Sequence, residues 1–223
     1  SKGAESIYFI LPKPSLNIQN LLDGIDISRI RIYLDLQFLD PSFIPQIEAL
    51  KLNQNSKVFI LSDCIGHLAK SGNWYSNLST DKKNTMDYCH SMKVAKSVLS
   101  VDMAHYQNAG ASMVQQLAYA LAHAYEYLVD NESFNESSFV FKTAIGGNYF
   151  FEIAKLQALR WLWNSLMKDH KKNINCHIIS EPTKRNKTIY DYNINMLRTT
   201  TEMMSAALGG RDAVITLHYD PFY

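Results

Sequence analysis

The stretch Ile189–Asp220, IYDYNINMLRTTTEMMSAALGGRDAVITLHYD, decides the fold class of this chain. Between Asp191 and Leu208 its apolar residues recur at the period of a helix; they are Ile194, Leu197, Met204 and Leu208. Asp191 suits the start of that helix, and Gly209-Gly210 suits its end. The apolar run Ala213–Leu217 follows closely and is long enough for a strand but too short for a packed helix. A helix that leads so quickly into a buried strand is half of a βαβ crossover.

The same alternation of strand and helix extends along the rest of the chain. Helical patterns are predicted over residues 18–22, 41–52, 86–96, 113–129 and 149–167. The stretch 66–84 shows no clean period and is predicted to be a loop with a short helix, and 102–111 is predicted to be a polar loop. The strand candidates are Ser6–Leu11, Ile30–Leu36, Lys57–Leu61, Val98–Val101, Phe139–Ile145, Cys176–Ser180 and Ala213–Leu217.

This alternation predicts a parallel sheet with helices outside it, either a doubly wound sheet or a (β/α)8 TIM-type barrel. No G-x-G-x-x-G follows the first strand, which removes the usual sign of a dinucleotide-binding sheet. A complete barrel typically takes about 250 residues. We therefore expect an α/β barrel that is incomplete here, with its first strand and last helix outside these 223 residues.

The composition is that of an ordinary globular protein. Hydrophobic residues make up 47% and charged residues 19%, so we expect one barrel domain over 1–223. The net charge of +1 gives no basic surface for nucleic acid. No apolar run approaches the ~20 residues of a membrane helix, and three cysteines without close pairing fit reduced thiols in the cytoplasm. Because the chain begins at Ser1 without methionine, we expect it to be a piece of a longer polypeptide.

In a barrel, the working residues lie at the carboxyl ends of the strands. The polar residues at those ends form a candidate pocket: Asp102, His105, Gln107, Glu181, Arg185 and His218. Asp102 and His105 fit either a base with its orienting partner or, more simply, two local partners beside a helix. Gly146-Gly147 fits either an anion site on backbone N–H groups or a tight turn. The histidines and cysteines show no metal-ligand spacing, so we expect no metal site.

One helix is rich in aromatic residues. They are Tyr149, Phe150, Phe151, Trp161 and Trp163. We expect them to pack against the barrel wall. Composition and spacing alone lead no further than a (β/α) domain with an undefined pocket.

Three stretches resemble the methylmalonyl-CoA mutase family. Residues 148–163, NYFFEIAKLQALRWLW, are similar to the family pattern N-x-F-x-E-I-A-K-x-R-A-x-R-x-L-W. Residues 195–210, NMLRTTTEMMSAALGG, are similar to N-(M/I)-(L/V)-R-T-x-x-E-A-x-(A/S)-A-x-x-G-G. Residues 107–111, QNAGA, are similar to Q-E-A-G-A. The three stretches occur in the family's order, and the resemblance is clear from about Ser97 to Asp220.

The resemblance implies an adenosylcobalamin-dependent isomerase that interconverts methylmalonyl-CoA and succinyl-CoA. In this family a barrel binds the acyl-CoA, and a separate domain holds the cobalamin through a D-x-H-x-x-G motif. That motif is absent from this sequence, so no cobalamin-binding domain is expected in it. In many bacteria the enzyme is a cytoplasmic heterodimer of a catalytic large subunit and a similar small subunit that does not turn over.

The departures from the family pattern indicate the small subunit. Catalytic chains carry H-x-Q-T-S after a late strand, and Ile179 and Glu181 occupy the His and Gln positions here. An apolar side chain cannot donate a hydrogen bond to a thioester, and an ionised carboxylate cannot donate one either. Of the catalytic S-G-Y-H, only His105 is retained in Asp102-Met103-Ala104-His105.

The resemblance thus predicts a non-catalytic chain that supports the large subunit, which would bind the adenosylcobalamin. Two alternatives remain. One is a catalytically competent mutase chain, and the other is a regulatory barrel that binds acyl-CoA without chemistry.

Overall fold

The computed structural model describes residues 3–53, 55–92, 95–130, 137–191 and 193–216. The strands in these ranges are β1 (Ser6–Leu11), β2 (Arg31–Leu36), β3 (Val58–Ser62), β4 (Ser97–Asp102), β5 (Ser138–Ile145), β6 (Asn175–Pro182) and β7 (Ala213–Val214). The helices are α1 (Ile18–Leu21), α2 (Ile44–Glu48), α3 (Cys64–Ser71), α4 (Leu78–Ser91), α5 (Ala104–Asn108), α6 (Met113–Asp130), α7 (Tyr149–Asp169) and α8 (Asn193–Leu208), with a 3₁₀ turn at Pro41–Phe43. Within the described ranges, no helix has the length and apolar content to cross a bilayer.

The strands form one seven-stranded sheet whose spatial order follows the chain order. β1 pairs with β2, β2 with β3, β3 with β4 and β6 with β7, each in parallel. A doubly wound sheet reverses its strand order near the middle, and this sheet has no reversal. The fold is therefore an α/β TIM-type barrel, and with seven strands in the described residues it is incomplete, as the sequence predicted.

The chain divides into two compact units, Ser1–Ser100 with Glu126–Phe139 and Val101–Tyr125 with Val140–Tyr223. In the first unit, the rings of Tyr33 on β2 and Phe59 on β3 stack with centroids 5.0 Å apart. In the second unit, the ring of Phe141 on β5 meets buried Trp163 on α7 edge-on, at 5.1 Å. Each unit thus has aromatic packing of its own. That 1–223 forms a single domain stays a prediction.

The strand predictions are accurate at their starts. Each of β1 to β6 begins within one residue of the predicted position, because an uninterrupted apolar run is a local signal. β7 begins at Ala213 as predicted but ends at Val214, short of the predicted end at Leu217, which itself lies outside the described residues.

The helix predictions were only partly correct in the region after β3. The stretch 66–84 contains most of the short helix α3, as predicted, but also the first half of α4, which begins earlier than predicted and ends at Ser91. These helices begin at polar caps, where Asp63 accepts a hydrogen bond from Gly66 N and Asn77 accepts one from Thr80 N. The buried side of α4 includes Asp81 and Thr85, so it carries no continuous apolar stripe. The predicted loop at 102–111 likewise contains a short helix, α5.

The aromatic residues of α7 do not all pack inward as predicted. Trp163 is fully buried, but Phe150, Phe151 and Trp161 are 77%, 62% and 70% exposed. The inward side of α7 instead carries Glu152, Lys155, Leu156, Leu159, Trp163 and Met167.

The apolar side that identified α8 is also exposed. Leu197 and Leu208 are 65% and 63% exposed, and Met204 is 52% exposed. The buried residues of α8 are Asn195, Glu202, Ser205 and Ala206. The buried side of this helix therefore consists of polar and small side chains.

Candidate functional site

A lysine on β5 joins the ends of β4 and β6. Lys142 Nζ lies 3.3 Å from Glu181 Oε2 and 3.5 Å from Asp102 Oδ2, and all three side chains are largely buried. Burial raises the pKa of Glu181, whereas the positive charge of Lys142 acts to lower that pKa. Two candidate pocket residues thus share one cation.

Sequence reasoning missed Lys142 because it lies within the apolar strand SFVFKTAI. The available signal was its charge, since lysine is rarely placed in a buried strand without a partner. The partners come from strands that are distant along the chain, and no local pattern identifies them.

Asp102 also makes two local contacts. Its Oδ1 accepts a hydrogen bond from Ala104 N at 2.9 Å, at the start of α5. Its Oδ2 lies 3.6 Å from His105 Nε2. This geometry matches the simpler alternative drawn from the sequence, in which Asp102 and His105 are local partners beside a helix.

A second cluster surrounds Lys155, on the inner side of α7. Its Nζ lies 2.6 Å from Glu152 Oε2 and donates to Gln107 Oε1, Gln116 Oε1 and Ala144 O at 3.2, 3.1 and 2.8 Å. Burial lowers the pKa of Lys155, and the Glu152 carboxylate opposes that shift. Gln107, predicted to line the pocket, is therefore part of a buried ion-pair network.

The Gly146-Gly147 turn closes against this network. Gly146 N donates to Glu152 Oε1 at 2.9 Å, so a carboxylate of the chain itself occupies the place proposed for an external anion. A Cβ on Gly146 would come within 3.1 Å of that oxygen and 3.3 Å of Gln107 Nε2. At this position glycine permits the close approach of backbone and side chains.

The remaining predicted residues have different environments. Arg185 Nη1 donates to Gln107 O at 3.0 Å and so connects the loop after β6 to α5. Ile179 is fully buried on β6. His218 lies outside the described residues. The structure thus joins Asp102, His105 and Glu181 around Lys142, and it joins Arg185 to Gln107.

The polar side of α8 holds the loop that follows β6. Asn195 Oδ1 accepts a hydrogen bond from Thr188 N at 2.9 Å, and Asn195 Nδ2 donates to Thr188 O at 2.8 Å. Arg198 donates to the backbone oxygen of Asn186. Glu202 accepts from Asn186 Nδ2 and Lys187 Nζ, both at 2.6 Å, and burial raises the pKa of Glu202. We call this set of contacts the α8 clasp.

Sequence reasoning assigned no role to these three residues beyond the resemblance. Asn195, Arg198 and Glu202 are spaced three and four apart, so a helix places them on one side. That spacing was the signal by which the clasp could have been found. What it could not indicate is the loop to which they bind.

No cluster of three or more His, Cys, Asp or Glu side chains is placed to hold a metal ion within the part of the chain that the structure describes. His105, the described histidine of the candidate pocket, is turned toward Asp102.

Comparison with known proteins identifies the family to which this chain is similar. The profile of the family described as methylmalonyl-CoA mutase matches residues 17–222. The methylmalonyl-CoA mutase small subunit of Porphyromonas gingivalis is 39% identical over 137 residues, 56% of this chain and 22% of that protein. The large subunit of the same organism is 33% identical over 129 residues, 53% of this chain and 18% of that protein.

The methylmalonyl-CoA mutase small subunit of Streptomyces virginiae is 28% identical over 238 residues, which cover 98% of this chain and 38% of that protein. The chain thus spans less than half the length of each of these relatives.

Proposed function

Because the chain belongs to the methylmalonyl-CoA mutase family, we propose that it is the barrel domain of a small subunit, which supports a large catalytic subunit without turning over substrate itself. The observation that carries the proposal is the pairing of Glu181 with Lys142. By resemblance, Glu181 stands where catalytic chains place a substrate-binding glutamine.

The chemistry of that position argues against catalysis by this chain. An ionised Glu181 offers only acceptors, and one of its oxygens already faces Lys142 Nζ. Ile179, at the position of the family's histidine, has no polar atom in its side chain and is fully buried. Neither residue provides a hydrogen-bond donor for a thioester carbonyl.

The contacts around the site also support the proposal. The Lys155 network and the α8 clasp hold the turn after β5 and the loop after β6. The α7 and α8 residues of these networks match the family pattern, and they hold the two loops in place. In contrast, Ile179 and Glu181, which stand at the substrate-binding positions of the pattern, depart from it. A large subunit with a similar barrel would keep the same loop-holding contacts and would provide the hydrogen-bond donors that this chain lacks.

The Porphyromonas gingivalis relatives support the small subunit over the large one. In Porphyromonas gingivalis the matched identity is 39% to the small subunit and 33% to the large subunit. We accordingly propose a heterodimer in the cytoplasm, with adenosylcobalamin held by the large subunit. The three cysteines are buried and form no disulfide in the described part of the chain, which suits a reducing compartment.

The experiment compares turnover of methylmalonyl-CoA with adenosylcobalamin by three preparations: the purified protein, the large subunit, and both together. We expect no turnover by the protein alone and more turnover by the mixture than by the large subunit alone. Turnover by the protein alone would overturn the non-catalytic assignment. No gain on mixing, with no co-elution of the two proteins, would overturn the supporting role.

Calorimetry distinguishes the regulatory alternative. The protein alone is titrated with methylmalonyl-CoA and with succinyl-CoA at millimolar concentration. The proposed role predicts no heat of binding, because the candidate pocket is occupied by its own ion pairs. Saturable heat would favour a barrel that binds acyl-CoA.

A further inference from the structure

The first unit contains a cavity of about 230 Å³ between β4 and the helices α3, α4 and α6. Its lining residues all belong to Ser1–Ser100 or Glu126–Phe139. None of the candidate pocket residues lines it. Nothing in the proposed function uses it.

The cavity wall is mainly apolar. Leu78 and Met86 line it from α4, Leu99 lines it from β4, and Trp74 lines it from the segment between α3 and α4. Leu99 is almost completely buried, whereas Leu78 is 47% exposed. The cavity therefore reaches from the sheet to the surface.

The polar groups in the wall are engaged with one another. Tyr127 Oη donates to Asp63 Oδ1 at 2.9 Å and accepts from Ile65 N at 3.0 Å. Thr85 Oγ1 donates to Asp81 O at 2.8 Å. Cys64 Sγ lies 3.6 Å from Tyr127 Oη, and burial raises the pKa of the Cys64 thiol, so the thiol is neutral at pH 7. The deep wall thus presents no charge to a ligand.

Two charged side chains also line the cavity. The lining includes half-buried Lys82 and exposed Glu126, which have opposite signs. Such a pair suits a neutral hydrogen-bonding group better than a group with net charge, because either ionic form would face one like charge.

The volume exceeds what packing normally leaves empty. Folded interiors contain few voids larger than a water molecule. An engineered apolar cavity of 150 Å³ in another protein stays dry and binds benzene. The cavity here is larger than that one and mainly apolar, and it has an aromatic side chain, Trp74, in its wall.

We propose that this cavity binds a small neutral ligand with a hydrocarbon body, an aromatic ring or short alkyl chain of roughly six to nine non-hydrogen atoms, and a hydrogen-bonding end between Lys82 and Glu126. The ring of Trp74 and the side chains of Met86 and Leu99 contact the hydrocarbon body. The proposal does not depend on the subunit assignment.

Trp74 provides the readout. The purified protein is titrated with phenol, 1-hexanol and hexanoate while tryptophan emission and the thermal unfolding midpoint are followed. Phenol and 1-hexanol are expected to change the emission saturably and to raise the midpoint, since a ligand that binds only the folded state stabilises it. Trp74→Phe is expected to remove the emission change and keep the midpoint rise.

Met86→Phe fills the cavity and is expected to weaken binding of both neutral probes at least about tenfold. Met196→Phe makes the same change on the exposed side of α8 and is expected to leave binding unchanged. If Met86→Phe does not fold, Leu78→Phe replaces it, because Leu78 is half exposed. No saturable effect of the neutral probes at millimolar concentration would overturn the proposal. Equal binding by the filled variant, or binding of hexanoate alone, would also overturn it.

Discussion

Glu181 Oε2 lies 3.3 Å from Lys142 Nζ, across two neighbouring strands of the sheet. The same lysine lies 3.5 Å from Asp102 Oδ2. The negative charge of a carboxylate in this position is therefore balanced by Lys142 even when no ligand is bound. The relationship has a consequence for stability, because burial shifts the ionisation of Glu181.

Glu181→Gln is expected to change the pH dependence of stability. The pKa of Glu181 in the folded protein is raised above its ordinary value of 4.5, so between these two pKa values the folded state retains a proton that the unfolded state has lost. The contribution of Glu181 to the free energy of unfolding therefore falls as pH rises through that window. Urea unfolding from pH 4 to pH 7 should show the wild-type protein losing stability relative to Glu181→Gln. A difference independent of pH would contradict this.

Lys155→Met is expected to destabilise the protein by about 3–5 kcal/mol, because it leaves the buried Glu152 carboxylate without its cation. Lys168→Met, at an exposed position of the same helix, is the matched control and should cost less than about 0.5 kcal/mol. The double variant Glu152→Gln/Lys155→Met should recover part of the loss. Chemical denaturation measures all three, and similar losses for the two lysine variants would be the opposing result.

Gly146→Ala is expected to lower the free energy of unfolding by about 1–3 kcal/mol, because an atom added to a filled site usually destabilises the protein by that amount. The added Cβ would lie 3.1 Å from Glu152 Oε1, within the turn that this carboxylate holds. Gly147→Ala makes the same change one residue later, where the nearest atom would be 3.6 Å away. Thermal unfolding should separate the two variants, with Gly147→Ala near wild type. Equal midpoints would contradict the close approach at Gly146.

Asn195→Ala is expected to loosen the loop after β6. The change removes both hydrogen bonds to the backbone of Thr188 and should cost about 1–3 kcal/mol. Limited digestion with trypsin should then cleave at Arg185 or Lys187 faster than in wild type. Asn164→Ala, at an exposed position on α7, should leave the cleavage rate unchanged. If the loop is cut at the same rate in both variants, the clasp does not hold it.

The strands were predictable from sequence because their signal is local. Apolar runs such as the one that forms β3 need no knowledge of distant residues, and the turns of an alternating α/β chain separate them clearly. α8 was predicted from an apolar row, but the structure exposes that row. Its apolar row has the period of a helix, but Leu197 and Leu208 face outward and Asn195 and Glu202 face inward.

The site was less predictable because its contacts are long-range. The residues Asp102, Gln107 and Glu181 were identified by their place after strands, and each is engaged in the folded chain. Their partner Lys142 could not be identified, since a lone lysine in a strand does not indicate which carboxylates it meets. The resemblance located Asn195 and Glu202 but not the loop that they bind.

The α8 clasp bears on how chains of this family can be told apart. Asn195, Arg198 and Glu202 bind the loop through its backbone and through Asn186 and Lys187, so their contacts are independent of any reacting molecule. A sequence signature built from them detects every chain that folds this loop in the same way, whether or not the chain performs the isomerisation. Under the proposed function, active and silent chains differ instead at the positions of Ile179 and Glu181, two residues outside the clasp.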